Sequence, residues 1–145
     1  MVRFFTQDTS FDIKGKLLLR KWIKTVITAY KSVQGEISII FCSDSYLLEI
    51  NKKYLGHDYY TDIITFDYCE QNRISGDLFI SVDTVKANAE FYNVAFHDEL
   101  HRVIIHGVLH LLKEDDMTPT QQQQMRVAEE RALAILADMQ SQEAK

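Results

Sequence analysis

Ile104-Ile105-His106-Gly107-Val108-Leu109-His110-Leu111-Leu112-Lys113-Glu114-Asp115-Asp116 is the stretch on which the rest of the chain is organised. Its aliphatic residues make it the most apolar helical segment of the sequence, so it must pack on a sheet or pass through the core. His106 and His110 stand one helical turn apart on one face, where two imidazoles can converge on a single metal ion. Imidazoles on a core helix need partners, and a metal at the mouth of a cleft supplies one. Asp116 lies beyond the helix end, where a chain that folds back offers a carboxylate as third ligand, and Asp115 is the alternative.

The same stretch excludes one chemistry. HExxH metallopeptidases place a water-activating glutamate after the first histidine, and here that position is Gly107. A glycine inside a helix costs about 1 kcal/mol relative to alanine. It therefore implies a close approach to the backbone, either by a ligand or by a tightly packed neighbouring element.

Working outward, Val2 to Phe5 reads as a short strand and Lys14 to Lys31 as a helix with Leu17, Leu18, Trp22, Val26 and Ile27 inward. Glu36 to Cys42 alternates as a strand, with Ile37, Ile39 and Phe41 on one face. Ser43-Asp44 caps a helix that runs to about Tyr54 and stops at Gly56. Asp62 to Tyr68 and Gly76 to Ser81 are β-branched and aromatic, so they read as neighbouring strands across a polar linker. Helices are expected over 84–92, 98–112 and, after the capping box Thr118-Pro119-Thr120-Gln121, to about Met139. The expected architecture is one α/β domain over residues 1–145, with about four strands in a mixed sheet covered by about five helices. The early crossovers favour parallel pairing, and the short linker favours an antiparallel pair.

At 145 residues and 46% hydrophobic content the chain can bury a full core. It has no apolar run long enough for a membrane span, and its opening Met1-Val2-Arg3-Phe4-Phe5 lacks the apolar core of a secretion signal. A cytoplasmic protein is expected. Cys42 and Cys69 lack CxxC spacing and fall in strand-like stretches, so buried free thiols are expected. The net charge of −5 argues against a generic high-affinity nucleic-acid binder. The helix between Asp12 and Lys31 nevertheless carries Lys14, Lys16, Arg20, Lys21, Lys24 and Lys31 against one acid, either a solvated face or a patch that meets phosphates.

Residues His106 to Asp116 resemble the HGxLHLxGYDH signature of the YbeY family of bacterial zinc endoribonucleases and ribosomal RNA maturation factors. Ile50-Asn51-Lys52-Lys53-Tyr54, Asp58 and Thr61-Asp62-Ile63-Ile64-Thr65-Phe66 are similar to its LNxxYR…D…TDVLSF, and Gly76-Asp77-Leu78-Phe79-Ile80-Ser81 to its GDIxIS. The order and spacing agree over about residues 36 to 135. Three departures stand out. Asp116 replaces the third histidine, Lys113-Glu114 replaces a Gly-Tyr pair, and Leu55 replaces an arginine thought to hold the phosphate. Arg73 is a possible substitute charge or a solvated loop residue.

The resemblance implies one Zn2+ per chain on His106, His110 and Asp116, with an open position for water. Such a site acts on a phosphodiester by lowering the pKa of water towards about 7 and neutralising transition-state charge. Asp62 is the candidate general base, against a role in capping its strand. The implied substrate is single-stranded RNA, physiologically ribosomal RNA precursors and defective ribosomes, with the ribosome or its small subunit as partner. Tyr54, Tyr59 and Tyr60 are candidates for stacking on bases, and His57, His97 and His101 read as surface residues. Two competing readings are a ribosome assembly factor with a structural metal and negligible cleavage, and, more remotely, a metallopeptidase.

Overall fold

The computed structural model describes residues 1–144. In chain order the elements are β1 (Val2–Gln7), α1 (Lys16–Ala29), β2 (Val33–Cys42), α2 (Asp44–Leu55), β3 (Ile63–Asp67), β4 (Arg73–Ser81), α3 (Val82–Tyr92), α4 (Phe96–Leu111) and α5 (Pro119–Glu143). The sheet order is β1-β2-β4-β3. β1 with β2 and β2 with β4 are parallel, while β3 and β4 are antiparallel. This is the expected mixed sheet. The linker closes as a tight turn, in which Glu70 N–H donates to Arg73 O at 3.1 Å and Arg73 N–H donates back at 2.9 Å. With β1 and β3 as its edges, the sheet leaves β3 open on its outer side.

Strand alternation sorts the side chains onto two faces. Ile37, Ile39, Phe41, Leu78 and Ile80 form the main core with α1, α4 and α5. Cys42, Leu47, Ile50 and Ile64 form a smaller cluster under α2, with Phe66 and Phe79 against it. Helix α4 packs against both β3 and β4 on one side and α1, α3 and α5 on others. Leu100, Ile104, Ile105, Val108, Leu109 and Leu111 are all fully buried, as its composition required.

The open question at Gly107 resolves in favour of packing. A Cβ placed there would lie 2.7 Å from Ile63 Cδ1 and 3.0 Å from Leu78 Cδ2. The missing side chain therefore lets α4 sit directly on β3 and β4, which carries His106 and His110 to the sheet edge.

Several boundaries differ from the expectations. α1 starts only after Gly15, whose φ of +73° breaks the helix, and its buried stripe is Leu19, Trp22, Ile23, Val26 and Ile27. Leu17, expected inward, is 66% exposed. β2 begins at Val33, ahead of Glu36, because a register shift between Gln34 and Ile37 interrupts the alternation. The helix stops behave as read. Ser43 caps α2, Gly56 ends it at positive φ, and Thr118 and Gln121 form a reciprocal capping box. Both cysteines are free, and burial pushes the Cys42 thiol up to about 12.

Candidate metal centre

The centre begins with the way α4 stops. Lys113 N–H donates to His110 O and Glu114 N–H donates to Leu109 O, each at 3.0 Å, which is the Schellman arrangement. It requires a left-handed residue after the cap, and Lys113 adopts φ +73°. A lysine is disfavoured there relative to glycine, but its Nζ reaches Asp67 Oδ2 at 2.6 Å and ties the turn to β3. The turn has the same sense that a glycine would give it, and it returns Asp116 to the face of α4.

Lys113→Gly relieves the backbone and loses an exposed ion pair, two effects that oppose each other, so stability should change by less than about 1 kcal/mol. Lys113→Val places a β-branched residue in the left-handed region and loses the same pair, so it should cost about 1–2 kcal/mol. Urea unfolding of the two variants checks the order. A lysine-to-glycine change as damaging as the valine change would show that the ion pair, not the backbone, governs the turn.

Three donor atoms meet at this point. His106 Nε2 and His110 Nε2 are 3.0 Å apart. Asp116 Oδ2 lies 3.4 Å from His106 Nε2 and 3.3 Å from His110 Nε2. The edge of a tetrahedron around zinc with nitrogen ligands is about 3.3–3.4 Å, so the spacing suits three ligands on one ion. Asp116 and both histidines are half-buried, whereas Asp115 is exposed. Of the two candidate carboxylates, Asp116 is the one beside the pair.

Glu129 was not foreseen. From α5, it accepts a hydrogen bond from His106 Nδ1 at 2.6 Å and takes Arg102 at 3.0 Å on its other oxygen. A carboxylate only accepts, so the proton sits on Nδ1 and the lone pair of Nε2 faces His110 and Asp116. Burial pulls the His106 imidazolium down, but Glu129, Asp116 and Asp62 push harder and the net shift is upward. Burial likewise raises Glu129, and His106 and Arg102 outweigh it, holding the carboxylate below its ordinary value. The signal available in the sequence was an acid on an apolar stripe. Met125, Ala128, Ala132 and Leu136 are the buried face of α5, and Glu129 lies within it.

A cleft of about 500 Å³ runs along the β3 edge and is lined by Leu55, Tyr59, Asp62, His106, His110 and Asp116, among others. Asp62, just ahead of β3, is half-buried, and its backbone carbonyl accepts from Ser81 N–H at 2.9 Å. Burial raises its carboxyl, partly offset by the charge of His106. Tyr59 stacks on His57 and Tyr60 is exposed, while Tyr54 packs edge-on against Phe66. On the α5 side, Arg126 lines a second opening of about 430 Å³ together with His106, Asp116 and Glu129. Arg126 is exposed and makes no ion pair among the described residues. Arg73 lies at the start of β4, outside the cleft lining. On α1, Arg20 serves the fold by donating to Val2 O at 2.9 Å and lying over Phe4. His101 is half-buried with its ring edge-on to Trp22, whereas His57 and His97 are exposed.

A family profile described as Endoribonuclease YbeY matches residues 4–137. The chain belongs to the YbeY endoribonuclease family. An endoribonuclease YbeY of Phocaeicola vulgatus is 58% identical over 138 residues, spanning 94% of this chain and 99% of the relative. That of Parabacteroides distasonis is 50% identical over 137 residues, 94% and 96% of the two chains. That of Cytophaga hutchinsonii is 44% identical over 133 residues, 91% and 93%. The solution structure of a Thermotoga maritima protein shares the fold, with a TM-score of 0.64 at 24% identity over 95% of this chain and 93% of the other. His106, His110 and Asp116 all lie within the matched residues. No helix among the described residues is long and apolar enough to cross a membrane.

Proposed function

We propose that the chain is a zinc-dependent endoribonuclease that cuts single-stranded RNA in the cleft along β3, with His106, His110 and Asp116 as the metal ligands. The convergence of two imidazole nitrogens and one carboxylate oxygen within 4.8 Å of one another carries the reading. Two nitrogens and one oxygen suit zinc, and three protein ligands leave a position open for water or substrate. When bound there, zinc supplies Lewis acidity and brings the pKa of a coordinated water to about 7.

The chain's own residues do the rest. Glu129 holds the His106 tautomer through Nδ1, and Arg102 holds Glu129. Asp62, raised by burial, is the general base, because a carboxyl closer to neutral pH is a better proton acceptor in the transition state. Arg126, at the opening shared by His106 and Asp116, meets a backbone phosphate in place of the cation absent at Leu55. Tyr59 offers an exposed face on which an unpaired base can stack. The physiological substrates are ribosomal RNA precursors and RNA of defective ribosomes, met at the small subunit in the cytoplasm. This fits an acidic protein that handles RNA transiently.

The competing reading, an assembly factor with a structural metal, draws on Leu55, which leaves the cleft without the family's cation. It predicts unfolding on metal removal. Against it, the two histidine ligands stand on a helix whose Leu109 and Leu111 are already fully buried by protein. The test is to strip the protein with a chelator, reload it with zinc and follow a fluorescent RNA as single strand and as duplex. Cleavage that disappears and returns with zinc, confined to single strands and with unchanged circular dichroism, is expected. Loss of the fold on stripping, or no cleavage by zinc-loaded protein, overturns the proposal.

Glu129→Gln provides a second check. The amide keeps the size and can still accept from Nδ1, but it loses the charge and turns an NH2 group towards Arg102. Zinc affinity should fall about 10–100-fold, the usual cost of altering a group that orients a ligand. Competition with a chromophoric chelator measures it, and unchanged affinity would reduce Glu129 to a packing residue.

A further inference from the structure

Beside the cleft lies a larger cavity, of about 630 Å³, between α3, α4 and α5. It joins the metal centre directly, because His106 and Asp62 line both spaces. Its wall carries a residue that neither the fold nor the metal site explains. Glu99, on α4, is only 7% exposed, yet its side chain makes no hydrogen bond or ion pair among the described residues. Gln34 Oε1 is the one side-chain polar atom fully buried without a partner among the described residues, so the oxygens of this otherwise buried acid face the cavity, where they are open to donors from a ligand. Glu99 sits seven residues before His106, about 10 Å along the same face of α4. That is a separation on the scale of one nucleotide, from phosphate to the far edge of the base.

The rest of the lining has the character of a base site. Leu133 and Leu136 give an apolar wall, and Tyr92 at the rim, in T-shaped contact with Phe91, is 62% exposed and offers an aromatic surface for stacking. Asn88 is half-buried and its amide likewise makes no hydrogen bond among the described residues. Arg102 is already engaged by Glu129, which leaves Arg126, shared between this cavity and the α5-side opening lined by His106 and Asp116, as the cation for the phosphate.

We propose that this cavity is a nucleobase subsite that seats a guanine next to the scissile phosphate, with Glu99 accepting from the Watson–Crick edge and Asn88 donating to the O6 carbonyl. The choice of base follows from donor pattern. A carboxylate has two acceptor oxygens and no donor. Guanine alone presents two adjacent donors, N1–H and N2–H, which match it in parallel. Adenine and cytosine set a ring acceptor beside their amino group, and uracil flanks its single N–H with carbonyls, so each turns an acceptor towards one carboxylate oxygen. Unpaired RNA is read through this edge, which a duplex hides.

The inference rests on the endoribonuclease reading, so binding and cleavage are measured separately. Guanosine, inosine and adenosine 5′-monophosphates are titrated against zinc-loaded wild-type protein and Glu99→Gln, which is isosteric and checked by circular dichroism. Wild type should prefer guanosine to adenosine monophosphate by about tenfold or more, the scale of one charge-assisted hydrogen bond, with inosine between them. Glu99→Gln should abolish the preference. In parallel, RNAs with a single guanosine are scanned for cleavage beside it, with guanosine-to-inosine and guanosine-to-adenosine replacements. Guanosine binding without cleavage by the loaded enzyme would sink the nuclease reading and leave the subsite standing. Cleavage with a base profile that Glu99→Gln leaves unchanged overturns the subsite, as does a preference for adenine, which would require a protonated Glu99.

Discussion

Replacing His110 by alanine is expected to strip the metal from the protein and lower RNA cleavage by more than about a hundredfold, while the circular dichroism spectrum stays native. The size follows from position. Changing a group that merely orients a ligand costs 10–100-fold, and His110 contributes a donor atom itself. Without it only His106 Nε2 and Asp116 Oδ2 remain, 3.4 Å apart, and two protein donors hold zinc poorly. The fold survives because the last turn of α4 is secured by other contacts. Leu109 and Leu111 on either side of His110 are fully buried, and the Schellman bonds use backbone atoms that alanine keeps. Elemental analysis of chelator-free preparations measures the metal, and a fluorescent single-stranded RNA measures cleavage. A variant that still carries about one zinc per chain would show that the three-donor assignment is wrong. One that unfolds would show that the metal is structural.

The parts of this site that were legible in the sequence are those made by spacing along one element. Four residues bring His106 and His110 onto one helical face, and apolar neighbours place that face in the core, so the pair was readable without a fold. Asp116 was readable as a donor only in outline, because its approach depends on how the chain turns. The turn ran against local preference. Lys113 takes a left-handed conformation that favours glycine, and what offsets it is Asp67, 46 positions away in sequence. Glu129 was illegible as a partner for a similar reason: it acts across 23 positions, and only its place on the buried stripe of α5 marked it. In the fold, the mixed sheet followed from connection lengths, whereas the start of β2 did not, since the irregularity at Gln34–Ile37 breaks the period on which the reading relied. Leu17 failed for a different reason: it stands two residues, about 200° of helical rotation, from Leu19 and so faces away from the buried stripe of Leu19, Trp22, Ile23, Val26 and Ile27.

Trp22→Ala is expected to destabilise the protein by about 3–5 kcal/mol, the range for deleting a large buried aromatic. Trp22 is fully buried under α5, and its indole Nε1–H donates to the backbone carbonyl of Ala132 at 2.8 Å. Alanine opens a cavity and also strips that carbonyl of this side-chain donor, which adds to the lost transfer energy. For a domain stable by about 5–15 kcal/mol, the change removes a large fraction of the total. A fall in Tm of roughly 10–20 °C should accompany it. Trp22 is the only tryptophan, so its fluorescence vanishes with it and unfolding must be followed by circular dichroism. The consequence reaches the metal centre. Ala132 lies one turn beyond Glu129 on the same face of α5, so the contact that pins α5 to α1 also fixes the carboxylate that orients His106. Zinc affinity should therefore weaken in the folded variant, even though Trp22 touches no donor atom. A loss of under about 1 kcal/mol would mean that α5 is held elsewhere, and full stability with weakened zinc binding would separate the two roles.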